Sequence, residues 1–206
     1  MNFKDYNVHT LLMIFCTAMT IVGAQIAFKV GLIPYTFQNF GLILAGLLLQ
    51  PKHALMSQLL YITLIGLGLP VAAGFRGGPY ILIGHTSGYL WMFPVTSYIM
   101  SLISRKYIEI RGRSLDLMNK FDIISLLILS LISALPLYLV GGFVFAIYTI
   151  PVLPGKDIIS VIHEYFKYSL LLNIPFMLQD LLMDHLAAII TARQIYKLLR
   201  VKGMIP

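Results

Sequence analysis

The chain has 206 residues, 59% of them hydrophobic and only 11% charged, with a mean hydropathy of +0.87. A soluble domain carries about 25% charged residues, so a water-soluble globule and a disordered chain are both excluded. The net charge is +7, no basic-aromatic platform for nucleic acid accompanies it, and the lone Cys16 allows no internal disulfide or paired-cysteine zinc motif.

A helix that crosses a bilayer needs roughly 20 mostly apolar residues. Six candidate spans occur along the chain, which makes it an all-α integral membrane protein with one transmembrane domain over residues 1–206. The first covers residues 11–28. Its polar start resembles a signal peptide, but further spans of similar length follow, so it is read as a retained helix. The second covers 37–49 and is short. The third covers 54–69 and is followed by a glycine-rich run, 70–79. The fourth covers 80–104. A charged loop, 105–120, separates it from the fifth, 123–148. A polar, proline-bearing connection, 149–173, leads to the sixth, 175–191.

Basic residues accumulate on the cytoplasmic side of a membrane protein. With the N-terminus cytoplasmic, Lys4, Lys52, Arg105, Lys106, Arg111, Arg113, Lys120, Arg193, Lys197, Arg200 and Lys202 fall inside. Lys29, Arg76, Lys156 and Lys167 fall outside. This bias puts both termini in the cytoplasm, with the basic C-terminal tail against anionic headgroups. The glycine-rich run and the start of the sixth helix then meet on the outer side.

Ionisable groups at a membrane-helix centre cost about 2.5–3.5 kcal/mol on insertion scales and mark function by default. Asp180 and Asp184 stand four apart in the last span, on one helix face. Asp180 is read as functional. For Asp184, a functional role and a hydrogen bond to a neighbouring helix stay equally open. His185 is read as a structural hydrogen-bond partner, since no His-Glu-x-x-His pattern supports a metal. Irregular backbone at membrane depth is tolerated where protein buries it or it lines a cavity, and the exposed N–H groups of such a loop can hold an anion. Arg76 lies in the glycine-rich run on the side that basic residues avoid, which favours a ligand contact over a headgroup contact. A re-entrant turn with a snorkelling arginine is the plainer alternative.

Gly84 and Gly88 form a Gly-x-x-x-Gly pair, which suits helix packing. Thr86, Tyr89 and Trp91 either line an apolar site or anchor at the interface. In the first helix, Cys16, Thr20 and Ala24 recur every four residues, and Gly23 and Ala27 form a second pair. Such small-residue faces suit a partner helix or packing inside the bundle equally. The chain has no phosphate-binding P-loop, since Gly155-Lys156 is followed by Asp157 and has Ile150 where the first glycine should stand. It has no Gly-x-Ser-x-Gly motif either.

Val22-Gly-Ala-Gln-Ile26, Pro34-Tyr-Thr-Phe-Gln38 and the run from Gly41 to Leu49 resemble the first two helices of the BioY family, the biotin-binding S components of energy-coupling factor (ECF) transporters. Gly68-Leu-Pro-Val71 and Gly84-x-Thr-x-Gly-Tyr-Leu90 are similar to the family's loop and fourth helix. Pro175-Phe-x-x-x-Asp180-Leu-Leu resembles its last-helix motif. The chain departs from the family at His85, Ser87, Leu178-Gln179 and Met183, the last standing where a ligand-binding lysine is expected.

The resemblance implies a six-helix bundle in the cell membrane that binds biotin near the outer face, reorients and releases it inside. It implies no enzyme and no cofactor. Its partners would be biotin, membrane lipid, and a transmembrane coupling protein that carries two ATPase subunits, docked on Thr20, Gly23, Ala24 and Ala27. Asp180 would accept from the ureido N–H groups through charge-assisted bonds. Tyr89, Trp91 and Phe75 would cover the thioether ring, and Arg76 would hold the carboxylate. Thr86, Gly88, Gln38 and Met183 complete the expected substrate site, with Thr36 beside Gln38. Met183 motivates a competing reading, the same fold importing another vitamin or small carboxylated ligand. A small intramembrane enzyme using Asp180, Asp184, His185 and His85 is a further alternative, and a purely structural membrane subunit is the last.

Overall fold

A computed structural model describes residues 3–30, 33–150 and 157–203. Helix α1 (Phe3–Gln25) leads into an antiparallel hairpin of β1 (Ala27–Val30) and β2 (Ile33–Thr36), with Ala27 opposite Thr36 and Val30 opposite Ile33. The first span therefore stops at Gln25 rather than at 28, and one short hairpin interrupts an otherwise all-α fold. A short apolar run with β-branched residues reads the same in hydropathy whether it is strand or helix.

Helix α2 (Gln38–Leu48) is apolar on every side and buried on every side from Gly41 to Leu49, as an all-round hydrophobic helix requires. Its neighbours approach it at glycines. A methyl group at Gly41 would strike the Thr20 backbone of α1. One at Gly46 would strike Met100 and the Ser97 carbonyl of helix α4 (Ser87–Arg111). Helix α3 (Pro51–Gly66) is tied to α1 by Thr17, whose hydroxyl donates to the Ser57 carbonyl at 2.9 Å, and by Thr20, which donates to Gln58 Oε1 at 3.2 Å. Such interhelical bonds contribute about 0.6–2 kcal/mol each in membranes.

These contacts use up the small-residue stripe. Thr20 and Ala24 are fully buried, and Gly23 lies against the Phe37 carbonyl. The stripe thus packs inside this chain, and of the four residues named for partner docking only Ala27 is exposed. The outward face of α1 carries Leu11, Ile14 and Val22 instead.

Helix α4 runs past its apolar part to Arg111 and ends at Gly112, whose φ of 59° is the left-handed C-terminal stop that glycine accepts. The expected loop 105–120 shrinks accordingly. What remains is clasped: Arg200 donates to Asp116 and to Ser114, each at 2.6 Å, and Asp122 accepts from Arg111 at 2.7 Å. Asn119 and Asp122 form a reciprocal cap that starts helix α5 (Lys120–Ser133).

The fifth expected span is two helices, α5 and α6 (Leu135–Thr149), broken at Ala134. Pro136 has no N–H to donate, and its ring excludes the carbonyl of Ile132. The polar connection is also mostly helix. Gly155 and Lys156 lie outside the described residues, but Asp157 caps helix α7 (Ile158–Asp180) by accepting the Ser160 N–H at 3.2 Å. A π-helical turn (Leu181–His185) then joins α7 to α8 (Leu186–Val201). Pro175 lies inside α7 rather than at its start. Ser169 and Asn173, which look like loop residues by polarity, are buried against α6, where Gly142 makes room for them.

Among the described residues, three helical stretches are long and apolar enough to cross a membrane: Val8–Gln25, Lys120–Thr149 and Ile158–Val201. The glycine contact at the α2–α4 crossing is testable. Gly46→Leu should lower the thermal unfolding midpoint in detergent, since overpacking of this kind costs about 1–3 kcal/mol. Gly66→Ala, whose added methyl meets only a Leu82 side-chain carbon at 3.4 Å, should leave the midpoint unchanged.

Candidate functional site

The first turn of α2, strand β2, the glycine-rich run, α4, α6 and α7 line a cavity that opens to the surface. Asp180 marks its depth and is only 4% exposed. Asp180 Oδ2 accepts from Asn39 Nδ2 at 2.5 Å and from the Tyr138 hydroxyl at 2.8 Å. Both of these bonds fall on one oxygen of the carboxylate. The carboxylate also faces the N-terminal turn of α2, the positive end of that helix.

A second layer holds these groups in place. Asn173 on α7 accepts from the Tyr89 hydroxyl at 2.8 Å and donates to the Tyr138 carbonyl at 2.8 Å, which locks α4, α6 and α7 together. Gln38 is fixed at both ends. Its Nε2 donates to the Tyr61 hydroxyl at 2.6 Å, and its Oε1 accepts from Thr36 at 2.8 Å. Phe93, Leu90, Leu137 and Phe176 supply an apolar wall, and Tyr35 stacks on Phe176 with ring centroids 4.1 Å apart.

The glycine-rich run forms the mouth. Ala72 and Arg76 exchange backbone hydrogen bonds of 2.9 and 3.3 Å, closing a tight turn. Inside it Phe75 takes a φ of 55°, uncommon for a residue with a side chain. Gln25 of α1 holds the turn: its Oε1 accepts the Phe75 N–H at 3.0 Å, and its Nε2 donates to the carbonyls of Val71 and Ala72 at 3.3 and 3.1 Å. Arg76 is exposed, with Nε donating to the Ala73 carbonyl at 3.0 Å and the rest of the guanidinium at the mouth.

Of the residues named from the sequence, Asp180, Arg76, Tyr89, Thr86 and Gln38 line the cavity, as does Thr36. Gly88, Trp91, Phe75 and Met183 do not. Gly88 is a contact point between α4 and α6, pressed on the Val140 carbonyl and Val144. Trp91 is 47% exposed and donates its indole N–H to the Leu82 carbonyl at 2.8 Å. Phe75 is 72% exposed, because its positive φ turns the ring away from the mouth. Met183 is half exposed on the π-helical turn. Asn39 and Tyr138 escaped the sequence reading. Their signals are a polar residue beside Gln38 in a helix's first turn, and a phenol in an apolar span, which needs a buried partner.

Asp184 is fully buried and accepts the Phe40 N–H at 3.2 Å. His185 Nδ1 lies 2.9 Å from the Ser130 hydroxyl. His85 packs edge-on against Phe145 and does not line the cavity. The Asp and His residues of the enzymatic alternative therefore do not converge there. Among the described residues, no three His, Cys, Asp or Glu side chains gather as a metal site.

The comparisons with known proteins agree with this arrangement. The model of the BioY family matches residues 2–200. The "Probable biotin transporter BioY" of Pyrococcus horikoshii is 48% identical over 85 residues, 41% of this chain and 52% of that protein. The biotin transporter BioY of Thermotoga maritima is 37% identical over 90 residues, 44% of this chain and 53% of that protein. The chain matches about half the length of these relatives. A crystal structure of the S-component for biotin from an ECF-type ABC transporter superposes with a TM-score of 0.72 at 20% identity, covering 96% of this chain and 95% of that one, a likeness of fold. With a family match over nearly its whole length and helices suited to a bilayer, the chain is a membrane protein and belongs to the BioY family.

Proposed function

We propose that this chain binds biotin in the cavity and acts as the substrate-binding subunit of an ECF-type importer. One observation carries the reading: a buried carboxylate, which takes the Asn39 and Tyr138 bonds on a single oxygen, lines an apolar, aromatic-walled cavity together with the cation of Arg76. Biotin presents the complementary groups, with ureido N–H donors at one end, a thioether ring in the middle and a carboxylate at the other. The ureido N–H groups meet the Asp180 carboxylate, and a bond to a charged acceptor contributes about 1.5–3 kcal/mol. The thioether ring lies against Tyr89, Phe93 and Phe176, and Arg76 takes the carboxylate. Thr86 and Gln38 border the same space. Met183 lies outside the cavity, so the missing lysine removes no donor from its wall, which favours biotin over another ligand.

The proposed topology has six membrane units, α1, the short α2, α3, α4, the α5–α6 pair and the α7–α8 rod, with both termini cytoplasmic. The distribution of lysine and arginine supports it. Binding takes place from the outer side of the cell membrane, and reorientation in the bilayer exposes the cavity inside. A coupling protein with two ATPase subunits supplies the energy.

Asp180→Asn should weaken biotin binding more than about tenfold, or 1.4 kcal/mol, in calorimetric titration of the detergent-purified protein, with an unchanged circular dichroism spectrum. Unchanged affinity removes Asp180 from the site. Arg76→Ala should weaken biotin about fivefold yet leave biotin amide, which lacks the charged tail, unaffected. Equal losses for the two ligands would put the tail elsewhere.

A further inference from the structure

Asp184 has no place in the cavity, yet it is a fully buried carboxylate in a helix suited to a bilayer. Such a group is costly, and the fold places it with care. Between Asp180 and Asp184 the helix widens into the π-helical turn, a feature frequent at functional sites. A regular helix turns 100° per residue, which carries residue i+4 past residue i. The wider turn shifts where Asp184 stands relative to Asp180 around the helix axis. Asp180, Asp184 and His185 all point inward, while Leu182 and Met183 are 68% and 45% exposed.

The two carboxylates hold consecutive residues at the start of α2. Asp180 takes the Asn39 side chain, and Asp184 takes the Phe40 backbone N–H, one of the donors that a helix start leaves without an internal partner. On the other side His185 is fixed to Ser130 of α5. The bulge is thereby pinned between two helices, and the pin on α2 lies one residue from the group that orients Asp180.

We infer that Asp184 is a positioning residue for Asp180: by clamping the first turn of α2 it sets where Asn39, and with it the Asp180 carboxylate, stands in the cavity. The inference rests on the ligand role of Asp180 proposed above. Asp184 touches no ligand and acts through the Phe40 N–H and the π-helical turn.

The test compares Asp184→Asn, which keeps an acceptor for Phe40, with Asp184→Leu, which removes it. Each is made in the native chain and in Asp180→Asn, with biotin affinity measured by calorimetry. Amide hydrogen exchange across residues 38–44 is followed without ligand. Asp184→Asn should stay within about threefold of the native affinity. Asp184→Leu should lose about tenfold and exchange faster at Asn39 and Phe40. In the Asp180→Asn background the same Leu change should cost little, since residues acting through one group are not additive. A loss of equal size in both backgrounds, or no loss in the native one, overturns the inference. If the native chain itself fails to bind biotin, the ligand reading fails. Hydrogen exchange then decides the clamp separately, and unchanged exchange in Asp184→Leu overturns it. Should Asp184→Leu not fold, Asp184→Ser, whose acceptor is too short to reach, is judged by the same outcomes.

Discussion

Helix α2 is too short for the layer it sits in. Its 11 residues rise about 16 Å, roughly half of a hydrocarbon core about 30 Å thick. A helix of that length, apolar all round and surrounded by longer helices, leaves a gap off its end. Lipid cannot fill the gap, because the backbone bordering it is irregular and needs hydrogen-bond partners. The hairpin after α1 and the glycine-rich run after α3 close the space partly, and the remainder is the cavity. The cavity therefore lies off the N-terminal end of the short helix α2.

Polar groups can line such a space only if each finds a partner. Asn173 serves two tyrosines, Gln38 serves Thr36 and Tyr61, and Asp180 draws on Asn39 and Tyr138. These bonds join helices far apart in sequence, so the polar lining also fixes the bundle around it. The apolar part of the bundle has a different glue: Gly41, Gly46 and Gly88 let helices approach where any side chain would intrude. The two kinds of contact meet at Tyr89, whose ring packs on Gly141 while it lines the cavity.

Hydropathy makes α2 and α3 legible to within a few residues, because both are apolar runs between clear stops. It fails where chemistry and shape diverge. Pro136 breaks a helix without changing its apolarity, while His163, Glu164 and Asn173 add polarity to α7 without breaking it. The site divides in the same way. Asp180, Arg76 and Gln38 stand out because charge and amide groups are expensive at membrane depth. Asn39 and Tyr138 matter through a residue more than forty positions away in each case, which no local pattern contains. Phe75 and Trp91 have the composition of a ligand wall, but a positive φ and an indole bond to a loop carbonyl direct them elsewhere.

Gln25 is the last residue of α1 and the strut of the cavity mouth. Its single amide makes three hydrogen bonds to the turn that carries Phe75 and Arg76. All three end on backbone atoms of the turn, so the Gln25 side chain is the one movable partner in each. The outer face of α1 is meanwhile bare and greasy, with Leu11 67% and Ile14 and Val22 each 52% exposed. The mouth and that face are consequently two ends of one helix. A tilt of α1 reaches the rim of the cavity through that amide, and the torsions of the Gln25 side chain set how much of it the turn feels.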